Sequence, residues 1–299
     1  MRFAWIAPDE SRTGTLAIVQ DEGTFLAVTP TLSAFGEITG REVPTVKTPL
    51  DALLLGTMFT ELVSEAVETL TENGIALQTF PPDVPVLAPL PRPNRILAIG
   101  RNYAKHAEEL GNTVGEEPIV FLKASSSVIG PGEAIVLPEW LGQADYEAEL
   151  LVVIGKGGKD IAEADAMEYV AGYSLFNDVT AREKQRALQE KKHPWFLAKS
   201  PDTFGPLGPY LVSKADVTDP HALTITCRVN GEVRQHDSTG KMIFPIPYLI
   251  AFLSQWMALE PGDVIATGTP SGVGALKPGD SVSVEIEAMG ALTNPVIAG

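Results

Sequence analysis

A chain of 299 residues with 44% hydrophobic content is long enough for one large globular domain and a smaller companion. Its formal charge of -16 repels phosphate backbones and argues against a nucleic-acid partner, and its single cysteine, Cys227, excludes an internal disulfide and a multi-cysteine zinc site. Residues 1–8 lack the apolar stretch of a secretory signal, and the longest apolar segment, 246–259, is too short and too interrupted by Pro247, Ser254 and Gln255 to span a bilayer. A cytoplasmic location without a membrane partner is the expectation.

In chain order, three short strands are predicted near 2–7, 14–20 and 24–29. A helix follows, with Thr48 as its cap, Pro49 at its first position, Asp51 as the early acid and Gly74 after the last turn. Residues 81–93 contain six prolines, a density typical of a stiff extended connector. The expected organisation is therefore a small α+β domain over 1–80, a linker over 81–93 and a large domain over 94–299. Within the last, strands are predicted at 95–100, 147–155, 172–179, 223–235 and 263–268. Asn230-Gly231 is a hairpin signal, and Val282, Val284 and Ile286 alternate with polar residues. Cys227 reads as ordinary strand packing. The clearest helix, 247–259, stops at Pro261-Gly262. With no regular βαβ alternation, the class is α+β, mostly β.

Glu147 and Glu149 interrupt this strand pattern. Strand side chains repeat every two residues, so both carboxylates leave one face. Like charges that close, beside an apolar run, resist burial unless a cation holds them; a solvated edge strand is the bland alternative. Asp178, at the end of the apolar run 172–178, is a third candidate. Three oxygen ligands without Cys or His favour a hard ion such as Mg2+ or Mn2+ with open positions for substrate. His106 and Glu109 are three apart, so on a helical turn a carboxylate could support an imidazole base, although Lys105 with Glu109 is an equally simple surface pair. Lys199 lies among apolar residues and prolines, where a lysine either snorkels or is held in a pocket. The glycine-rich turn 268–274 offers backbone N–H groups to a carboxylate, and could equally be a plain turn.

The ordered series Gly100-Arg-Asn-Tyr, Phe121-Leu-Lys123, Glu147-x-Glu149, Asp178-Val-Thr-Ala-Arg182, Leu197-Ala-Lys-Ser200, Asn230-Gly-Glu232 and Thr267-Gly-Thr-Pro-Ser-Gly-Val-Gly274 resembles the fumarylacetoacetate hydrolase family over residues 94–296. The resemblance implies a mixed β-roll, usually a homodimer, with a small variable N-terminal module. It implies that Glu147, Glu149 and Asp178 hold Mg2+ or Mn2+, that His106 and Glu109 form an acid/base dyad on a segment that closes over substrate, and that Lys199 polarises the substrate. Arg182, Gln185 and Thr269 would shape its carboxylate pocket, with Arg101, Lys123 and Gly268 of the same motifs also at the substrate. An additional upstream aspartate ligand of the larger, eukaryote-type hydrolases has no clear equivalent, so the chain resembles the smaller bacterial-type branch.

A 2-oxo acid could chelate such an ion and release electron density from C3 into a metal-bound enolate. The leading expectation is a metal-dependent hydrolase that cleaves a C–C bond in acylpyruvate-type 2,4-dioxo acids. Oxaloacetate decarboxylase and 2-hydroxyhepta-2,4-diene-1,7-dioate isomerase or 5-oxopent-3-ene-1,2,5-tricarboxylate decarboxylase activity are alternatives on the same site. A non-catalytic metal-binding β-module is the alternative from another class; it would lack a base near its ion.

Overall fold

The computed structural model of the chain describes residues 1–11, 13–21, 23–109 and 115–299, without the side chains of 106–108. β1 (Arg2–Ile6), β2 (Thr15–Val19) and β3 (Phe25–Ala27) are antiparallel neighbours. They lead into α1 (Val28–Thr39), α2 (Pro49–Leu55), α3 (Thr57–Glu72), β4 (Thr79–Phe80) and β5 (Val86–Leu87). The Thr48 cap is present: its hydroxyl accepts from the Asp51 N–H at 3.1 Å, and the Asp51 carboxylate accepts from the Thr48 N–H at 2.9 Å. The single helix expected after it is two, because Gly56 takes a φ of 61° and turns the chain between α2 and α3. Sequence reasoning places no helix at α1. Its start, Val28-Thr-Pro30, is β-branched and Ala27 provides no side-chain cap; burial of Val28, Leu32 and Phe35 against the sheet overrides those local signals.

The remaining elements are β6 (Ile96–Gly100), α4 (Ala104–Glu109), β7 (Ile119–Lys123), β8 (Val128–Ile129), β9 (Ile135–Leu137), β10 (Ala144–Tyr146), β11 (Ala148–Ile154), β12 (Val170–Asn177) and β13 (Thr180–Ala181). They continue with α5 (Arg182–Glu190), α6 (Phe196–Lys199), β14 (Gly205–Ser213), β15 (Thr224–Val229), β16 (Glu232–Ser238), α7 (Ile246–Trp256), β17 (Val264–Ala266), β18 (Gly274–Ala275), β19 (Ser281–Ile286) and β20 (Gly290–Ala298). Among the described residues these strands form three sheets. The largest runs β4-β3-β2-β1-β14-β12-β11-β17-β6-β7, with β5 and β8 attached beside it. A five-stranded sheet runs β16-β15-β19-β20-β9, and a small one β13-β10-β18. The mixed, largely β architecture expected from sequence is the one observed. The N-terminal strands continue the large sheet, since β1 pairs with β14. At the predicted hairpin, Asn230 and Gly231 take φ of 53° and 82°, the double positive φ of the tight turn between β15 and β16.

Strand β11 explains why its sequence is almost continuously apolar. Leu150, Val152 and Ile154 face a core shared with Ile225, Cys227 and Val284 of the five-stranded sheet and with Leu249 and Ile250 of α7. Leu151 and Val153 face a second core shared with Phe3, Phe35 and Phe59 of the N-terminal elements. A strand buried on both faces needs no polar alternation. Cys227 is buried in β15, where burial pushes its thiol up to about 12 and leaves it without nucleophilic character. No helix among the described residues is long and apolar enough to cross a membrane.

Candidate active site

Where the second of those cores ends, the face of β11 and β12 that carries Leu151, Val153 and Phe176 continues into acids. Glu149 follows the same alternation within β11; Glu147 and Asp178 lie just outside the strand ends. The antiparallel register, Ala148 opposite Asn177 and Glu149 opposite Phe176, sets Asp178 beside the two glutamates. Local hydrogen bonds lock the junction: the Glu147 N–H donates to Asn177 Oδ1 at 2.9 Å, and the Asp178 N–H donates to the Glu147 carbonyl at 2.8 Å. All three carboxylates are buried, and one oxygen from each lies within 4.8 Å of the others.

Cations come from three different elements. Lys199, at the end of α6, donates to Glu147 Oε2 at 2.8 Å and to Asp178 Oδ2 at 2.5 Å, with Phe121 below it at 4.9 Å. Burial opposes its charge, yet Asp178 and Glu147 outweigh burial and hold the ammonium above the usual lysine range. Lys123, at the end of β7, lies 2.7 Å from Asp178 Oδ1 but off its hydrogen-bonding direction, and it donates to the Val179 carbonyl at 3.2 Å and to the Lys199 carbonyl. Arg182, the first residue of α5, donates to Asp145 Oδ2 at 2.7 Å, to Gln185 Oε1 at 2.6 Å and to Glu147. Each of its three nitrogens therefore bonds a side chain of the protein itself, two of them acids.

The donor set fits a divalent cation. Among the described residues, Asp178 Oδ1 is the buried side-chain atom without a hydrogen bond. Burial, then the charges of Asp178 and Glu147, raise the Glu149 carboxyl well above the usual carboxylate range, a strain that a cation would relieve. Hard oxygen donors at this spacing, with no sulfur or imidazole among them, match ions of the Mg2+ or Mn2+ type.

The glycine-rich turn covers this cluster from β17. The Gly268 N–H donates to Glu149 Oε2 at 2.9 Å, so the turn does offer backbone donors to a carboxylate, here the protein's own. Gln235 of β16 ties turn to strand: its amide oxygen accepts from the Ala148 N–H at 3.0 Å and its amide nitrogen donates to Thr269 Oγ1 and the Pro270 carbonyl, both at 2.8 Å. A side chain at Gly268, where φ is +98°, would fall 2.7 Å from Asn102 Cβ and 3.1 Å from the Ile99 carbonyl oxygen. Gly268→Ala is expected to destabilise the fold by ~1–3 kcal/mol and to weaken Mn2+ binding by displacing the Glu149 donor. Scanning calorimetry with and without Mn2+ reads both effects.

A narrow cleft opens on the cluster. Of the residues singled out from sequence, Arg101, Glu147, Glu149, Asp178, Arg182, Gln185, Lys199 and Thr269 line it. Lys123 stands behind Asp178, and Gly268 holds Glu149 without lining the cleft. Glu109 accepts from the Gly272 N–H at 3.1 Å and so connects α4 to the glycine-rich turn. His106 lies within α4, and its side chain falls outside the described residues, as does any pairing with Glu109. Sequence reasoning missed Asp145, the buried partner of Arg182, although Asp145, Glu147 and Glu149 form one alternating series that could have revealed it. It also missed Trp195, Phe121 and Gln189 of the cleft wall. Those residues carry no charge pattern: Phe121 and Trp195 meet where β7 approaches the segment before α6, and Gln189 comes from α5.

Comparison with known proteins places the geometry in context. Residues 95–297 match the family model described as fumarylacetoacetate (FAA) hydrolase C-terminal. The mitochondrial oxaloacetate tautomerase of Bos taurus is 45% identical over 249 residues, 79% of each chain. The structure of maleylpyruvate hydrolase from Sphingobium sp. SYK-6 in complex with manganese(II) and pyruvate aligns over 100% of both chains, with a TM-score of 0.76 and 30% identity. That of fumarylpyruvate hydrolase from Pseudomonas aeruginosa in complex with Mn2+ and pyruvate covers 69% of this chain and 90% of its own, with a TM-score of 0.66 and 35% identity.

Proposed function

The chain belongs to the fumarylacetoacetate hydrolase family, and on that premise we propose that it is a divalent-metal-dependent enzyme converting small 2-oxo acids through their enolates, with keto–enol tautomerisation of an oxaloacetate-type acid as its lead reaction. The observation that carries this reading is the buried cluster itself, three carboxylates lining a small cleft, two of them, Glu147 and Asp178, bridged by Lys199. The identity to an oxaloacetate tautomerase over 79% of the chain supports the choice of reaction.

An ion held by Glu147, Glu149 and Asp178 would supply a Lewis acid for the 2-oxo group. Lys199 contributes a fixed positive charge for the oxygen that becomes negative when C3 loses its proton. Its bonds to Glu147 and Asp178 orient it before substrate arrives, so little reorganisation is needed. Arg182, anchored by Asp145 and Gln185, keeps Glu147 in place. His106 and Glu109 are assigned the proton transfer between C3 and the oxygen; for His106 the assignment rests on its motif. Glu109 would lock that segment to the turn through the Gly272 N–H.

Hydrolysis of acylpyruvate-type 2,4-dioxo acids is the second reading, since the same charge stabilisation serves a pyruvate enolate as leaving group. Two related structures, both named as hydrolases, hold Mn2+ and pyruvate, which favours it. The test uses the Mg2+- or Mn2+-loaded protein. Decay of the oxaloacetate enol band without release of pyruvate identifies tautomerisation, pyruvate from oxaloacetate identifies decarboxylation, and pyruvate from acetylpyruvate identifies hydrolysis. Failure of all three overturns the proposal. The homodimer implied by the family resemblance belongs to the same reading; light scattering at the mass of a single 31.9 kDa chain would contradict it.

A further inference from the structure

Two lysines serve one aspartate. Lys199 bonds Asp178 Oδ2 and already gives this carboxylate a counter-ion. Lys123 approaches Asp178 from its other oxygen, 2.7 Å from Oδ1, with a completely buried side chain that is not part of the cleft wall. Its ammonium is fixed by the Val179 carbonyl at 3.2 Å and by the Lys199 carbonyl, and it lies 6.0 Å from the centre of the Phe176 ring. These bonds hold it beside Oδ1 but off that atom's hydrogen-bonding direction. Lys123 therefore acts on Asp178 by charge alone, and among the described residues Oδ1 keeps its lone pairs free of any hydrogen bond.

Such a charge is more than pairing requires. Taking an ammonium out of water is costly, and the two carbonyls that bind Lys123 could be served by a neutral donor. Burial lowers its ammonium below the usual lysine range, against the pull of Asp178. Around the cluster four buried acids, Asp145, Glu147, Glu149 and Asp178, meet three buried cations, Lys123, Arg182 and Lys199. A divalent ion would turn that excess of acid into an excess of positive charge. A site built for the tightest hold on an ion would leave Asp178 with one counter-ion. This one has a second, and so leaves positive charge facing an incoming anion.

We propose that Lys123 is a positioning residue that withholds part of Asp178's charge from the bound ion, so that the ion is held less tightly and keeps more of its own charge for the substrate. This rests on the metal-dependent reading above and adds the residue that sets how strongly the ion is held. Partners that bond a metal ligand from behind commonly shift affinity or activity by ~10- to 100-fold. Lys123 acts through Asp178 and not on the substrate.

The test removes the charge in two ways. Lys123→Met keeps an unbranched stem beside Phe176, and Lys123→Gln also keeps a donor for one of the two carbonyls, which provides the measurement if the methionine variant does not fold. Calorimetry with Mn2+ alone should find the variants binding ~10- to 100-fold more tightly than the unaltered protein, while kcat on oxaloacetate or acetylpyruvate falls by a similar factor. A merely structural role predicts the opposite sign for Mn2+, because a displaced Asp178 is a poorer ligand. Equal or weaker Mn2+ binding in a folded variant overturns the inference, and so does tighter binding with kcat unchanged. Tighter Mn2+ binding, with no keto acid turned over by any of the proteins, upholds Lys123 and sinks the proposed reaction. Turnover that persists with unaltered Mn2+ affinity in the variants does the reverse, and an unaltered protein that holds no Mn2+ overturns both.

Discussion

Replacing Lys199 with methionine is expected to lower turnover of every 2-oxo acid substrate by ~10²- to 10³-fold, the loss typical when one preorganised stabiliser of a developing oxyanion is removed. Methionine keeps an unbranched apolar stem beside Phe121 and deletes only the ammonium that joins Glu147 to Asp178. The same substitution leaves two buried carboxylates facing each other, so the metal-free protein should lose ~3–5 kcal/mol of stability. Lys199 has a raised folded-state value, so its contribution is fully present below the ordinary lysine range and is lost only as pH rises through the raised value. The deficit of the variant should therefore be the same across neutral pH. Denaturant titration would measure it, and added Mn2+ should recover a part by replacing the missing positive charge. An unchanged kcat/KM in Lys199→Met would remove this residue from the chemistry.

For Glu149→Gln, calorimetry should find Mn2+ affinity weakened by well over about tenfold, or ~1.4 kcal/mol for each decade lost. Among the described residues Glu149 has no basic side chain within ion-pairing distance, unlike Glu147 and Asp178, and the Gly268 N–H is its hydrogen-bond donor. Its negative charge is thus the one most dependent on the ion. Because burial, Asp178 and Glu147 raise its carboxyl, its contribution to the stability of the metal-free protein is present below the ordinary glutamate range and lost as pH rises through the raised value. Metal-free wild type should accordingly lose melting temperature against Glu149→Gln as pH increases, and Mn2+ should reverse that trend. Equal Mn2+ affinity in the two proteins would exclude Glu149 as a ligand.

Some of this site is written in short-range spacing. Alternation along a strand puts Glu147 and Glu149 on one face whatever surrounds them, and Asp178 ends its own apolar run, so the cluster of acids was open to a linear reading. The capping signals around Thr48 and the Asn230-Gly231 hairpin were legible for the same reason: each acts through backbone bonds made within a few residues. Helix α1 was not, because its local signals point to a strand and its stability comes from Val28, Leu32 and Phe35 meeting a core assembled from distant segments. Nor was α5, a charged stretch with few apolar residues, whose place is set by the burial of Arg182, Gln185 and Leu188.

The partners of the acids belong to tertiary structure alone. Lys199 stands 52 residues from Glu147 and Arg182 stands 35, and no period links them. Their meeting depends on how β7, α5 and α6 pack across the ends of β11 and β12, and that is decided by side-chain packing of the whole sheet. Arg101 shows the division within one residue. Its motif marks it through the family resemblance as a substrate contact, while the lack of an acid within ion-pairing distance among the described residues and its cation–π contact with Trp195 arise only when Gly100, Phe121 and the segment before α6 come together. Periodic side-chain direction is a property of neighbouring residues and is carried by the linear sequence; charge pairing across long loops is settled only when burial removes water and forces fully buried cations such as Lys199 and Arg182 to find their acids.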